Sequence, residues 1–245
     1  MIAKTLKLSV TNCYLLKADH RYVLIDTGYD WEWDTFRKQL DRAKIDFADI
    51  EYLILTHHHD DHAGLLNQVV TKNPGIKVVM SRRAKELLAK GRNDRTNGGA
   101  YINKRVNALL TIKKMFDKRW THTFPPYNTR ENDIVVSGSI SLQELGIGLT
   151  GKILQTLGHS ADSISVVLDD GDCIAGDAAA NFLQFAGTKH CIIYVEDLEQ
   201  YYRSWSSILE AGAKQIYPAH GKPFSAEELN KYINRNSESD MVLLK

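Results

Sequence analysis

Three short stretches near the start, residues 4–10, 13–18 and 22–26, alternate apolar and polar positions or run apolar, with polar breaks between them. A period of two predicts three short strands. Asp26-Thr27-Gly28 ends the third in a turn. Over 31–44 the period changes. Trp33, Phe36, Leu40 and Ala43 recur at helical spacing and predict an amphipathic helix. Residues 50–55 form a compact apolar run, read as a buried strand, which stops at Thr56. A helix is expected over 64–71, a turn at Asn73-Pro74-Gly75 and a strand over 76–80. Ser81 is placed to cap a helix running to Lys90.

The pattern loosens over 91–132. This stretch opens basic and polar, with Arg92, Arg95, Lys104 and Arg105. It continues through Ile112, Met115, Phe116 and Trp120 at helical spacing and breaks at Pro125-Pro126. We read it as a helical insertion and a loop within one domain that spans 1–245. Strands are expected over 134–142, 152–156, 163–168, 173–175 and 215–217, and helices over 198–209 and 226–233. Strands cluster early and again late, and each cluster is followed by helices. That order suits an α+β sandwich of two sheets with helices outside.

Composition changes this picture little. The 245 residues are 43% hydrophobic and 25% charged, with a net charge of +1. Such a chain builds a sizeable core and carries no bulk field for nucleic acid. No run approaches the roughly 20 apolar residues that span a bilayer. Cys13, Cys173 and Cys191 form no paired spacing. A cytoplasmic protein with a small-molecule substrate is the expectation, with neither nucleic acid nor membrane as partner.

The chemistry concentrates in Thr56-His57-His58-His59-Asp60-Asp61-His62-Ala63-Gly64, between a strand and a helix. Imidazole and carboxylate suit zinc and are acceptable to iron and manganese. Alternate residues of an extended loop point the same way, so His57 and His59 can share an ion. Asp61 and His62, where the chain turns into the helix, can face another. His58 and Asp60 are expected to point away from metal, toward supporting contacts or solvent. Three later positions, each after a strand, join the set: His159, Asp177 and His220.

HxHxDH followed by Gly158-His159-Ser160, Gly176-Asp177 and His220-Gly221 resembles the metallo-β-lactamase superfamily from the Asp26-Thr27-Gly28 turn to the end of the series. The resemblance implies a four-layer αβ/βα sandwich with the site along one edge. It implies that His57, His59 and His159 hold one metal, that Asp61, His62 and His220 hold a second, and that Asp177 bridges them. Two divalent ions, zinc first with iron or manganese behind, would serve a hydrolase that attacks a lactone, thioester or small phosphodiester. Asp61 is the candidate for orienting the nucleophile and delivering a proton. Asp26 either supports a ligand from behind or is a turn acid making local backbone bonds.

The same resemblance separates subfamilies. His59 stands where the flavodiiron relatives carry glutamate. Asp177 is followed by Ala178-Ala179-Ala180-Asn181-Phe182, without the tyrosine of the homoserine lactonases. A persulfide dioxygenase with a single iron, and a binding or regulatory protein of the same fold, are the alternatives.

Overall fold

The computed structural model describes residues 2–96, 98–117, 119 and 121–244. Trp120, part of the expected helical face, lies outside them. The chain opens with β1 (Ile2–Lys7), β2 (Asn12–Ala18) and β3 (Arg21–Ile25), then α1 (Trp33–Ala43). Lys44 ends α1 in the left-handed region, and its N–H donates to the Asp41 carbonyl. Next come β4 (Ile50–Ile54), α2 (Asp60–Ala63), α3 (Leu66–Lys72), β5 (Lys77–Ser81) and α4 (Arg82–Leu88). The Ser81 hydroxyl accepts from the Ala84 N–H, the cap expected there. The helix expected over 64–71 is α3, which begins at Leu66, and a separate short helix, α2, precedes it from Asp60.

The second half holds β6 (Ala100–Tyr101), α5 (Lys104–Phe116), β7 (Ile134–Val136), β8 (Ile140–Ser141), β9 (Gly151–Gln155), β10 (Ile164–Leu168) and β11 (Asp172–Gly176). It ends with β12 (Tyr194–Val195), α6 (Leu198–Glu210), β13 (Gln215–Pro218), β14 (Phe224–Ser225), α7 (Glu227–Tyr232) and β15 (Val242–Leu243).

One six-stranded sheet runs β1-β2-β3-β4-β5-β7, antiparallel at first and parallel from β3 onward. The other runs β14-β13-β11-β10-β9-β8, with β11 and β13 parallel. The strand expected over 134–142 is therefore a correction. It splits into β7 in the first sheet and β8 in the second, with the switch at 137–139.

Three apolar layers separate four structural layers. In β3, Leu24 packs on the helix side with Phe36 and Leu40 of α1, whereas Val23 and Ile25 face the other sheet. In β10, Ile164 and Val166 meet Val23 and Ile25, whereas Val167 belongs to the outer layer with Trp205 of α6. Strands buried on both faces read as apolar runs rather than alternations. That is why 50–55 and 163–168 are compact in sequence. The architecture is the αβ/βα sandwich.

The insertion is a flap with a tied stem. Asn93 N–H donates to the His122 carbonyl and Phe124 N–H to Gly91, both at 2.9 Å. Its strand β6 is the centre of a third, three-stranded sheet, β12-β6-β15, which the sequence pattern did not predict. Helix α5 buries Val106 and Leu110. The expected apolar face of Ile112, Met115 and Phe116 points to solvent instead, with Phe116 83% exposed. One narrow stripe of α5 meets the fold, a choice of side that periodicity alone does not make.

Candidate metal centre

Four loops, each leaving the end of a strand, bring the chemistry together. The first follows β4 and carries residues 56–62. His159 follows β9, Asp177 follows β11, and His220 follows β13. Two glycines make the approach feasible. Gly176 sits at φ +55, and a Cβ there would lie 2.7 Å from the Thr56 Cβ. Gly158 sits at φ +121, where a Cβ would lie 2.3 Å from the Tyr201 nitrogen. A larger residue at Gly176 would push Asp177 away from the first loop, and one at Gly158 would push His159 away from α6.

All seven residues singled out in the sequence converge. Nε2 of His159 lies 3.1 Å from His57 Nε2 and 2.9 Å from His59 Nδ1. Asp177 Oδ2 is 3.3 Å from His159 Nε2. Its other oxygen, Oδ1, is 3.4 Å from His62 Nε2 and 3.2 Å from His220 Nε2. Asp61 Oδ2 lies 3.2 Å from His220 Nε2 and 3.7 Å from His62 Nε2. Asp177 thus turns one oxygen to each side of the cluster. Three sets of donor atoms are close enough to hold an ion: His57 with His59 and His159, His57 with His62 and Asp177, and Asp61 with His62 and His220.

Hydrogen bonds behind the rings fix which nitrogen faces inward. His159 Nδ1 donates to the Tyr194 carbonyl at 2.9 Å and His220 Nδ1 to the Val10 carbonyl at 3.0 Å. His62 Nδ1 donates to Asp26 Oδ2 at 2.8 Å. Thr56 Oγ1 donates to the same carboxylate and accepts from His57 Nδ1. In the neutral rings, the Nε2 lone pairs of all four histidines then point into the cluster. Lone pairs facing one another at such distances repel unless a cation sits between them. Nitrogens at about 2.0–2.1 Å from a tetrahedral zinc are roughly 3.3 Å apart, close to the spacings seen. His62 Nε2 and Asp177 Oδ1 are buried without a hydrogen-bond partner among the described residues. The donor set fits metal.

Electrostatics divide the cluster. Burial, then the neighbouring imidazoles, hold His57 and His59 well below the usual histidine pKa. Burial works against charge on His220 too, but the Asp177 and Asp61 carboxylates overcome it and raise its pKa to about 10. His62, ringed by Asp61, Asp177 and Asp26, is raised well above its usual value against the same desolvation.

Of the two roles foreseen for Asp26, the structure shows support of a ligand from behind rather than local turn bonds. At φ 61 its carboxylate accepts from the Thr56 N–H and hydroxyl and reaches 36 residues on to orient His62. His58 does turn away. Its Nδ1 donates to Asp162 at 2.9 Å, and its Nε2 accepts from the Asp94 N–H. Asp60 pairs with Asn93 at 2.8 Å. Asp162 and Tyr194 were missed, since their partners lie 104 and 35 residues away in sequence.

A cavity of about 260 Å³ opens onto His59, Asp61, His159, Asp177 and His220. Arg95 and Lys113 line it, whereas Arg92, Lys104 and Arg105 lie on the outside of the flap. No helix among the described residues is long and apolar enough to cross a membrane.

Comparison with known proteins agrees with this geometry. A beta-lactamase-like protein 2 homolog of Drosophila melanogaster is 24% identical over 242 residues, 96% of this chain and 67% of that protein. The counterpart from Caenorhabditis elegans is matched over 64% of its length, so the chain spans about two thirds of these relatives. A probable metallo-hydrolase, YqjP of Bacillus subtilis, is 24% identical over 94% of the chain and 75% of its own length. Among solved structures, a metallo-beta-lactamase family protein from Thermus thermophilus superposes with a TM-score of 0.63 at 21% identity, over 93% of this chain and 77% of that one. The model of the metallo-beta-lactamase superfamily matches residues 6–220, from the end of β1 to the last of the seven candidate ligands. This chain therefore belongs to the metallo-beta-lactamase superfamily of metal-dependent hydrolases.

Proposed function

We propose that the chain is a dinuclear hydrolase that cleaves an ester-like bond, a lactone, thioester or small phosphodiester, in a small molecule. The observation that carries this reading is Asp177, whose two oxygens face two separate sets of histidines. In this reading His57, His59 and His159 would hold one divalent ion, Asp61, His62 and His220 would hold the other, and Asp177 would contribute to both. Zinc suits the donors best, ahead of iron and manganese. When bound, two such ions would supply an activated water at neutral pH and polarise the bond under attack.

The chain's own residues do the rest. The apolar cavity excludes bulk water and seats the substrate beside Asp61. Asp61 is 14% exposed in its side chain and accepts from Thr11 Oγ1 at 3.1 Å. That bond steadies the oxygen that faces His62 and His220, and the carboxylate also lines the cavity, where it orients the attacking water and returns a proton to the leaving group. The Thr56–Asp26 pair holds His57 and His62 in the inward-facing form throughout.

The test is elemental analysis of the purified protein, followed by rates on a lactone, a thioester, a β-lactam and bis-p-nitrophenyl phosphate. Two ions per chain with turnover of one ester-like substrate is the expected result. One iron per chain with oxygen uptake on a persulfide would replace this reading with a dioxygenase. Less than one ion per chain, and no turnover after metal is restored, would leave a binding protein.

A further inference from the structure

The cavity wall built by the flap and by the segment before β12 is unlike the metal side. Leu109, Leu110, Ile192 and Ile193 make it apolar, and one arginine and one lysine, Arg95 and Lys113, sit among them. Arg95 is held in place rather than free in solvent. Its guanidinium nitrogen lies 3.3 Å from His122 Nε2, and its Cζ is 5.4 Å from the centre of the Tyr194 ring. The Tyr194 hydroxyl donates to the Gly98 carbonyl at 2.7 Å, which fixes the ring beneath the cation. That ring is in turn 5.9 Å from the His159 ring. Two short steps thus join Arg95 to the metal-side histidines.

The cations nearest His122 are Arg95 and Lys114. Burial first, then Arg95 and Lys114, lower the His122 pKa to about 4, so His122 stays neutral and serves Arg95 as an acceptor. The three acids that line the cavity are engaged elsewhere: Asp60 with Asn93, Asp61 with Thr11 and His220, and Asp177 with His159 and His220. Among the described residues no carboxylate pairs with the Arg95 guanidinium. A planar fork on an aromatic face, inside an apolar cavity, is suited to carboxylate or phosphate oxygens.

We propose that Arg95, with Lys113 on the same wall, is an anion subsite that selects substrates carrying a carboxylate or phosphate at the far end of a short apolar chain from the scissile bond. The proposal rests on the hydrolase reading for the identity of that bond, but the subsite itself is testable by binding alone. Octanamide, a neutral amide that resists hydrolysis, is compared with its ω-carboxylate and ω-phosphate analogues on the metal-loaded protein by calorimetry.

The wild-type protein is expected to bind at least one anionic probe about ten-fold more tightly than octanamide, equivalent to about 1.4 kcal/mol. The probe that gains more identifies the anion, and the gain shrinks with added salt. In Arg95→Ala the ratio collapses toward one, and Arg95→Lys retains part of it. Lys113→Ala, on a different element, lowers the ratio and serves should Arg95→Ala fold poorly. Equal binding of neutral and anionic probes by the wild type overturns the subsite. So does a preference that survives Arg95→Ala, because the anion would then sit on the metal side. A protein that discriminates the probes but hydrolyses no ester keeps the subsite and discards the hydrolase reading. One that hydrolyses esters with no preference does the reverse.

Discussion

Replacing Asp26 by asparagine isolates one proton. The backbone there is left-handed at φ 61, a region asparagine enters as readily as aspartate, so the substitution adds little strain. The carboxylate is buried, at 1% exposure, and accepts three hydrogen bonds: from Thr56 N, Thr56 Oγ1 and His62 Nδ1, each at 2.8 Å. A carboxamide has one oxygen for these three donors. If that oxygen keeps Thr56 N–H, the NH₂ group faces His62 Nδ1. The ring must then accept there and move its proton to Nε2, the atom aimed at Asp177 and Asp61. An N–H stands where the lone pair stood. If the amide turns over, NH₂ meets the Thr56 N–H, and an unsatisfied buried donor costs about 1–3 kcal/mol.

The first arrangement weakens the second set of donors, whereas the other keeps His62 as it was and costs stability instead. Loss of such a supporting contact lowers metal affinity roughly 10–100-fold, equivalent to about 1.4–2.7 kcal/mol. Competition between the metal-depleted protein and a chromophoric zinc chelator measures this directly. One ion should weaken in Asp26→Asn while the ion of the His57, His59 and His159 set weakens less. Unchanged affinity for both ions would refute the tautomer argument, and equal loss of both would refute its restriction to His62.

Two further perturbations act away from the ligands. His122 has a pKa near 4 in the fold, against 6.5 for a free ring. Above pH 6.5 it is neutral whether folded or unfolded. Between 6.5 and 4 the unfolded chain takes up a proton that the folded flap refuses, so stability falls across that window and levels off below it. After allowance for its partial exposure the loss is about 1–2 kcal/mol. His122→Asn, which suits the left-handed backbone at φ 58, should flatten the melting temperature between pH 6.5 and 4; an identical acid profile would show that other groups cause the loss. Trp205 of α6 is fully buried and donates from Nε1 to the Ala178 carbonyl at 2.6 Å, next to Asp177. Trp205→Ala should cost about 3–5 kcal/mol in denaturant unfolding and lower metal affinity as well; a large stability loss with metal affinity intact would mean that α6 does not steady Asp177.

What the sequence discloses about this site depends on how far apart its partners lie. His57, His59, Asp61 and His62 fall within six residues and are plain to read. His159, Asp177 and His220 are each ordinary and gain meaning only as a series, after strands, in a familiar order. The contacts that aim the rings are invisible, because a bond from His58 to Asp162 or from His159 to the Tyr194 carbonyl leaves no local pattern. The same holds for the fold. Buried strands declare themselves by apolar runs, whereas β6, β12 and β15 are two-residue strands with no period to detect. The sheet switch at 137–139 hides inside a run that reads as one strand. In α5 the apolar residues are real, but only packing decides that Val106 and Leu110 go inward and Met115 outward.

The seven donors come from both sheets. His57, His59, Asp61 and His62 leave the first sheet, whereas His159, Asp177 and His220 leave the second, and each set of three draws on both. A bound ion is therefore a cross-link as well as a reagent. It closes a loop of 100 residues between His59 and His159, a length at which a covalent bridge removes about 4–5 kcal/mol of chain entropy from the unfolded state on the simplest account. Metal binding and the docking of the two half-molecules then become one equilibrium. Stripping the metal loosens the seam between the sheets at the same time as it silences the chemistry, so resistance to heat and to proteases reports metal occupancy as directly as turnover does.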